Sequence, residues 1–151
     1  MFLIYALKSF RYADVLKDAF GEVFIVDKLK IDLEQLEALI LEKKPDWVIG
    51  VAKADRTSTF ELYAGNKFNR NGSVTKNGRN EYELFIPEKN FKIKVRSKPT
   101  TTFCNWIAYK VAEFVEKSGL NAKTTFIHLD EKNVEELVEL LNPNGFLPTQ
   151  E

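Results

Sequence analysis

Apolar residues follow two rhythms along this chain. Short unbroken runs alternate with stretches in which every third or fourth position is apolar. FLIYAL (2–7) is an unbroken run and reads as a buried strand. DVLKDAF (14–20) fits a short helix stopped by Gly21. EVFIVD (22–27), crowded with Val, Phe and Ile, is strand-like. Asp32 and Gln35 form a capping-box pattern, and Leu33, Leu36, Leu39 and Ile40 share one helical face. A helix is therefore expected to start at Asp32 and to end near Lys43 and Lys44, ahead of Pro45. DWVIGV (46–51) is another apolar strand.

The rhythm then breaks. NKFNRNGSVTKNGRN (66–80) contains two Asn-Gly pairs, which favour tight turns with positive φ. YELFI (82–86) and FKIKV (91–95) follow, joined by PEKN, and read as a β-hairpin or two nearby strands. FKIKV alternates, so one of its faces should be wet or at an edge. The helical period returns over NWIAYKVAEFVEKSG (105–119), with Ile107, Val111, Phe114 and Val115 as its stripe and Gly119 as its stop. TTFIHL (124–129) is a strand, and Asp130 or Asn133 opens a last helix through Leu141, ended by NPNG (142–145).

Alternating strands and helices predict an α/β fold: a three-layer α/β/α sandwich around a mostly parallel or mixed sheet, with a β-hairpin insert. Residues 1–151 suit one domain. In such sheets chemistry gathers at the carboxyl ends of the strands.

Charge narrows the function classes. Lys+Arg and Asp+Glu are both 22, so the chain lacks the basic excess of a general nucleic-acid binder. No stretch approaches the ~18 apolar residues of a membrane span, and the start lacks the basic n-region of a signal peptide. The lone cysteine cannot form an internal disulfide, which points to a reducing, cytoplasmic home. One Cys and one His cannot make a standard four-ligand zinc site without carboxylates or a partner chain; neither a metal nor a cofactor is expected.

Those two residues carry the candidate chemistry. Cys104 lies between a predicted strand and a predicted helix, where the helix dipole and free N–H groups favour a thiolate. The same N–H groups suit an oxyanion. His128 lies at the carboxyl end of TTFIH. If both reach one edge of the sheet they form a nucleophile–base pair, which needs a third group to orient the imidazole. Glu61, in STFELYAGN, is the carboxylate chosen for that role. The plainer reading is that a lone cysteine is most often a small buried hydrophobe, that a lone histidine is most often structural, and that Glu61 is one of many acids.

TTTFCNWIAYKV, followed by TTFIHL, resembles the pyroglutamyl peptidases, also called pyrrolidone-carboxylate peptidases. These cysteine exopeptidases remove an N-terminal pyroglutamyl residue. VIGVAKADRTSTFELYAGN resembles the family's strand-Gly stretch that leads to a Glu and then an Asn, here Gly50, Glu61 and Asn66. The resemblance implies Cys104 as nucleophile, His128 as base and Glu61 as orienting acid. It also implies a small peptide or amide substrate, no nucleic acid or membrane partner, and homo-oligomers, with Trp47, Trp106 or the Phe-rich hairpin as interface candidates if they are not core.

The family's Gly-Phe-x-Pro-Phe-Gly turn is replaced by ALKSFRYAD, which keeps Phe10. AKADR replaces a Gly-rich loop and puts Arg56 one position from a family Arg, and SKPTTTF replaces the Ser-x-Ala-Gly approach to the cysteine. The resemblance thus assigns Phe10, Arg56 and Asn66 to substrate binding. The segment between Glu61 and Cys104 is also shorter than in the family, so the machinery is retained while the pocket is rebuilt. Two other readings follow: a family-derived protein that binds a small ligand or partner without cleaving pyroglutamate, and an interaction module built on Lys67, Arg70, Lys76 and Arg79.

Overall fold

The computed structural model describes residues 1–87 and 93–141. In chain order the elements are β1 (Phe2–Leu7), α1 (Ala13–Phe20), β2 (Val23–Val26), α2 (Leu29–Lys43), β3 (Trp47–Lys53), β4 (Thr59–Glu61), β5 (Tyr63–Gly65), β6 (Glu81–Glu83), β7 (Lys94–Arg96), α3 (Phe103–Lys117), β8 (Lys123–Leu129) and α4 (Val134–Leu141). A single 3-10 turn, Glu131–Asn133, leads into α4. Six strands form one mixed sheet in the order β2-β1-β3-β8-β4-β7. β1, β2, β3 and β8 run parallel, while β4 is antiparallel to β8.

The alternation of side chains splits the core into two layers. Leu3, Tyr5 and Leu7 of β1, Val48 and Ala52 of β3 and Phe126 of β8 pack under α2 and α3. Ile4 and Ala6, Ile49 and Val51, and Ile127 and Leu129 pack on the opposite face with α1 and α4 residues. That two-sided burial explains why β1 and β3 read as unbroken apolar runs. Trp47 and Trp106, both weighed as interface residues, are buried in this core. Gly50 is required where it stands. A Cβ there would lie 2.4 Å from the Tyr5 ring and 2.6 Å from Phe126.

Three sequence expectations are corrected. α2 starts at Leu29 rather than Asp32, because the Asp32 carboxylate reaches back to accept from the Asp27 and Lys28 amides at 2.7 and 2.8 Å. β4 and β5 were not foreseen; each is three residues long, too short for a periodic signal. The hairpin also has different partners. β6 pairs antiparallel with β5 in its own two-stranded sheet, whereas β7 joins the main sheet beside β4. Expectations for residues 88–92, part of FKIKV among them, and for NPNG lie outside the described residues.

The loop 66–80 between β5 and β6 is organised by one amide. The Asn66 side chain accepts from the Val74 and Thr75 amides at 2.8 and 2.9 Å and donates to the Thr75 carbonyl at 2.8 Å. Of the two Asn-Gly pairs, the second has its Asn77 at positive φ; the other positive φ in this loop belongs to Asn69. Among the described residues no helix is long and apolar enough to cross a membrane.

Candidate active site

His128 is the penultimate residue of β8, and the antiparallel ladder sets it opposite Thr59 of β4. Glu61, two residues further along β4, is therefore its diagonal neighbour on the same face, a separation that long side chains span. Phe60 points to the other face, into the α1/α4 layer. The contact is made: His128 Nδ1 lies 3.2 Å from Glu61 Oε2. Both groups are largely withdrawn from water, with side-chain exposures of 15% and 8%.

Cys104 approaches from the helix that covers this face. It is the second residue of α3, whose N-cap, Thr102, is extended and makes no side-chain cap. Its hydroxyl instead meets that of Thr100 at 3.0 Å. The first-turn amides of an uncapped helix carry partial positive charge and lack intrahelical partners. Cys104, His128 and Glu61 line one small, narrow cleft with Tyr63, Thr100, Asn105, Ala108 and Phe126.

The electrostatics follow from these contacts. Burial by itself pushes the His128 imidazole down, but hydrogen bonds to Cys104 and Glu61, together with their negative charge, push it up to about 9. At neutral pH this histidine is protonated. Tyr5, from β1, is pushed well above the usual phenol range, first by burial and then by the charge of Cys104, so it stays a neutral neighbour of the sulfur. Phe126 packs edge-on against the imidazole at 5.4 Å between centroids.

Of the six residues singled out in the sequence, the structure brings three together and leaves three apart. Phe10 is buried in the α1/α4 layer, across the sheet from Cys104, and stacks edge-on with Tyr12. Arg56 is exposed between β3 and β4 and does not line the cleft. Asn66 spends its side chain on loop 66–80. Among the described residues no group of three or more His, Cys, Asp or Glu side chains is placed to hold a metal ion.

Two residues near the site were not singled out. Asn105 ties α3 to β5: it accepts from the Gly65 amide at 2.9 Å and donates to the Gly65 and Lys67 carbonyls at 2.8 and 3.0 Å. An Asn directly after the cysteine was the available signal. Arg96 stands opposite Glu61 on β7, with Nε 3.9 Å from Oε2. Nothing local in FKIKVR predicts that register.

No protein-family model matches the chain, and no curated protein matches it. Solved structures do. The pyrrolidone carboxyl peptidase from Thermococcus litoralis superposes with a TM-score of 0.68 at 18% identity, over 85% of this chain and 76% of that one. The pyrrolidone carboxyl peptidase from Pyrococcus furiosus gives 0.72 at 17% identity, over 91% and 86%. The pyroglutamyl peptidase I from Bacillus amyloliquefaciens gives 0.71 at 17%, over 97% and 93%. The chain therefore has the pyroglutamyl peptidase fold, as the sequence resemblance implied, at a large sequence distance.

Proposed function

We propose that this chain is a cysteine hydrolase of small amides, with an N-terminal amide such as a pyroglutamyl peptide as the substrate type. The carrying observation is the imidazole of His128, whose Nδ1 lies 3.2 Å from Glu61 Oε2 and which shares one cleft with Cys104. Such a nucleophile–base–orienter chain is the working unit of acyl-transfer sites. Additional support comes from the fold, which is shared with the peptidase structures described above.

The chemistry runs through these atoms. Cys104 Sγ, as thiolate, attacks the amide carbonyl carbon, and the carbonyl electron pair moves to oxygen. The first-turn amides of α3 face that oxyanion. As the C–N bond breaks, the imidazolium of His128 gives its Nε2 proton to the leaving nitrogen, and a thioester remains on Cys104. The now neutral Nε2 takes a proton from water, the hydroxide attacks the thioester, and the acid leaves as the thiolate re-forms. Glu61 holds the Nδ1 proton throughout, which fixes the tautomer. A catalytic thiolate of this kind works in reducing surroundings, which fits the cytoplasm.

The test is turnover of fluorogenic pyroglutamyl amides, with intact-mass detection of an acyl adduct on Cys104. An adduct in the wild type that is absent from Cys104→Ala supports the assignment. Equal turnover by both proteins would overturn it. Adduct formation with other small amides but not with pyroglutamyl amides would keep the chemistry and remove that substrate.

A further inference from the structure

An edge strand, β7, runs beside the strand that carries Glu61 of the cleft. In β7, Lys94 pairs with Thr59 and Arg96 with Glu61, and Thr59 in turn pairs with His128. Paired residues share a sheet face. Lys94 and Arg96 therefore stand on the face that carries His128 and Glu61. Arg96 Nε lies 3.9 Å from Glu61 Oε2, an ion pair longer than a hydrogen bond. At 44% side-chain exposure it still presents its fork to solvent. Lys98, also exposed, lies two residues before Thr100 of the cleft.

A second basic segment docks on the start of α3. The Lys67 carbonyl is held by Asn105, the Phe68 ring lies 5.8 Å from that of Phe103, and the Asn69 amide donates to the Thr101 carbonyl at 3.1 Å. These contacts dock the loop onto the approach to Cys104 and leave Lys67 and Arg70 exposed at the rim. Neither 62–80 nor 93–112 contains any Asp or Glu, although the whole chain balances 22 cations with 22 acids. Among the described residues of the adjoining strands β4, β5, β6 and β7, the acids are Glu61, buried and bonded to His128, and the exposed Glu81 and Glu83 of β6, which pair with Gly65 and Tyr63. Among the described residues of these segments, the exposed Lys67, Arg70, Lys94, Arg96 and Lys98 outnumber the exposed Glu81 and Glu83.

We propose that this basic rim selects small amides bearing a carboxylate, with the Arg96 guanidinium and its lysine neighbours binding that group beside Cys104. The inference rests on the cysteine-hydrolase reading and specifies its substrate class. A planar guanidinium with free nitrogens matches a carboxylate in two-point geometry. Cations around a narrow cleft also raise the local concentration of anionic substrate. The carboxylate can belong to the acyl part or to the residue that leaves.

Two alkylating reagents of similar size read the rim without any turnover. Iodoacetate is anionic and iodoacetamide neutral, and the urea-unfolded chain supplies their intrinsic rate ratio at Cys104. In the native chain at low ionic strength the iodoacetate-to-iodoacetamide ratio should exceed that reference roughly tenfold or more. It should fall at high salt, and fall several-fold in Lys94→Gln/Lys98→Gln and in Arg96→Gln. A native ratio equal to the unfolded one, or a ratio indifferent to salt and to these variants, would overturn the proposal. If native Cys104 resists iodoacetamide, the hydrolase reading falls instead. The rim is then judged by titrating succinate against succinamide while following the imidazole NMR signal of His128. A response to succinate alone supports the basic rim, and equal responses overturn it.

Discussion

Asn105 and Gly65 are joined as two strand residues would be. The Asn105 side-chain amide accepts from the Gly65 N–H at 2.9 Å and donates to the Gly65 carbonyl at 2.8 Å. One side chain thereby stands in for a missing strand at the edge of β5 and fixes the position of the residue before it, Cys104. The cysteine is held by the insert as well as by its helix.

Asn105→Ala leaves the Gly65 amide and two carbonyls without these partners in a buried place. A buried unsatisfied group costs about 1–3 kcal/mol. The variant should lose stability in that range by urea melts, and Cys104 alkylation should change with it. Asn105→Asp retains the acceptor but turns a carboxylate toward two carbonyls, so it should not rescue. Wild-type stability and reactivity in both variants would show that this pairing does not position the nucleophile.

Cys104→Ala should abolish covalent turnover while leaving the melt close to that of the wild type. Loss of the base in His128→Ala should cost kcat/KM roughly 10³-fold or more. Glu61→Gln keeps a hydrogen bond to Nδ1 and should cost less, roughly 10–100-fold. Steady-state kinetics on any turned-over amide check the order, and a reversed order for His128 and Glu61 would remove the roles assigned to them.

Gly50→Ala places a Cβ within 2.4 Å of the Tyr5 ring and 2.6 Å of Phe126. Overpacking in a well-filled core costs about 1–3 kcal/mol. Phe126 is pressed toward His128, so activity should fall together with stability. Adding Tyr5→Leu should recover part of the stability. Thermal melts of the single and double variants decide this, and a fully stable Gly50→Ala would mean that the ring contact yields freely.

The raised pKa of His128 makes stability pH-dependent. Its folded value, about 9, lies above its ordinary 6.5. A group shifted this way stabilises the fold fully below pH 6.5 and loses that contribution as pH rises through 9. The shift corresponds to roughly 3 kcal/mol at most. Urea melts should therefore show the wild type losing its advantage over His128→Gln between pH 6.5 and 9. A constant difference across that window would contradict the shift.

The sequence carried the layers of this fold because β1, β3, α3 and β8 are long enough to show their period. Local motifs and their order pointed to Cys104, His128 and Glu61, which the fold brings to one cleft. The sequence did not carry β4, β5 or the partners of β6 and β7, because three-residue strands have no period and their register is set by tertiary packing. Arg96 was hidden for the same reason: only the β4–β7 pairing brings it to Glu61. Phe10 and Asn66 were singled out by motif alone; the fold places Phe10 in the α1/α4 layer and commits the Asn66 side chain to loop 66–80.

The chain has a single histidine, so its imidazole signal needs no assignment. An NMR titration of His128 in the wild type, Cys104→Ala and Glu61→Gln tests the account most directly. If the sulfur, the imidazole and the carboxylate form one unit, the wild type titrates near 9 and each variant shifts down toward or below 6.5. A wild-type histidine that titrates near 6.5 and ignores both substitutions would mean that the three side chains do not act together, and the cysteine-hydrolase account would fail.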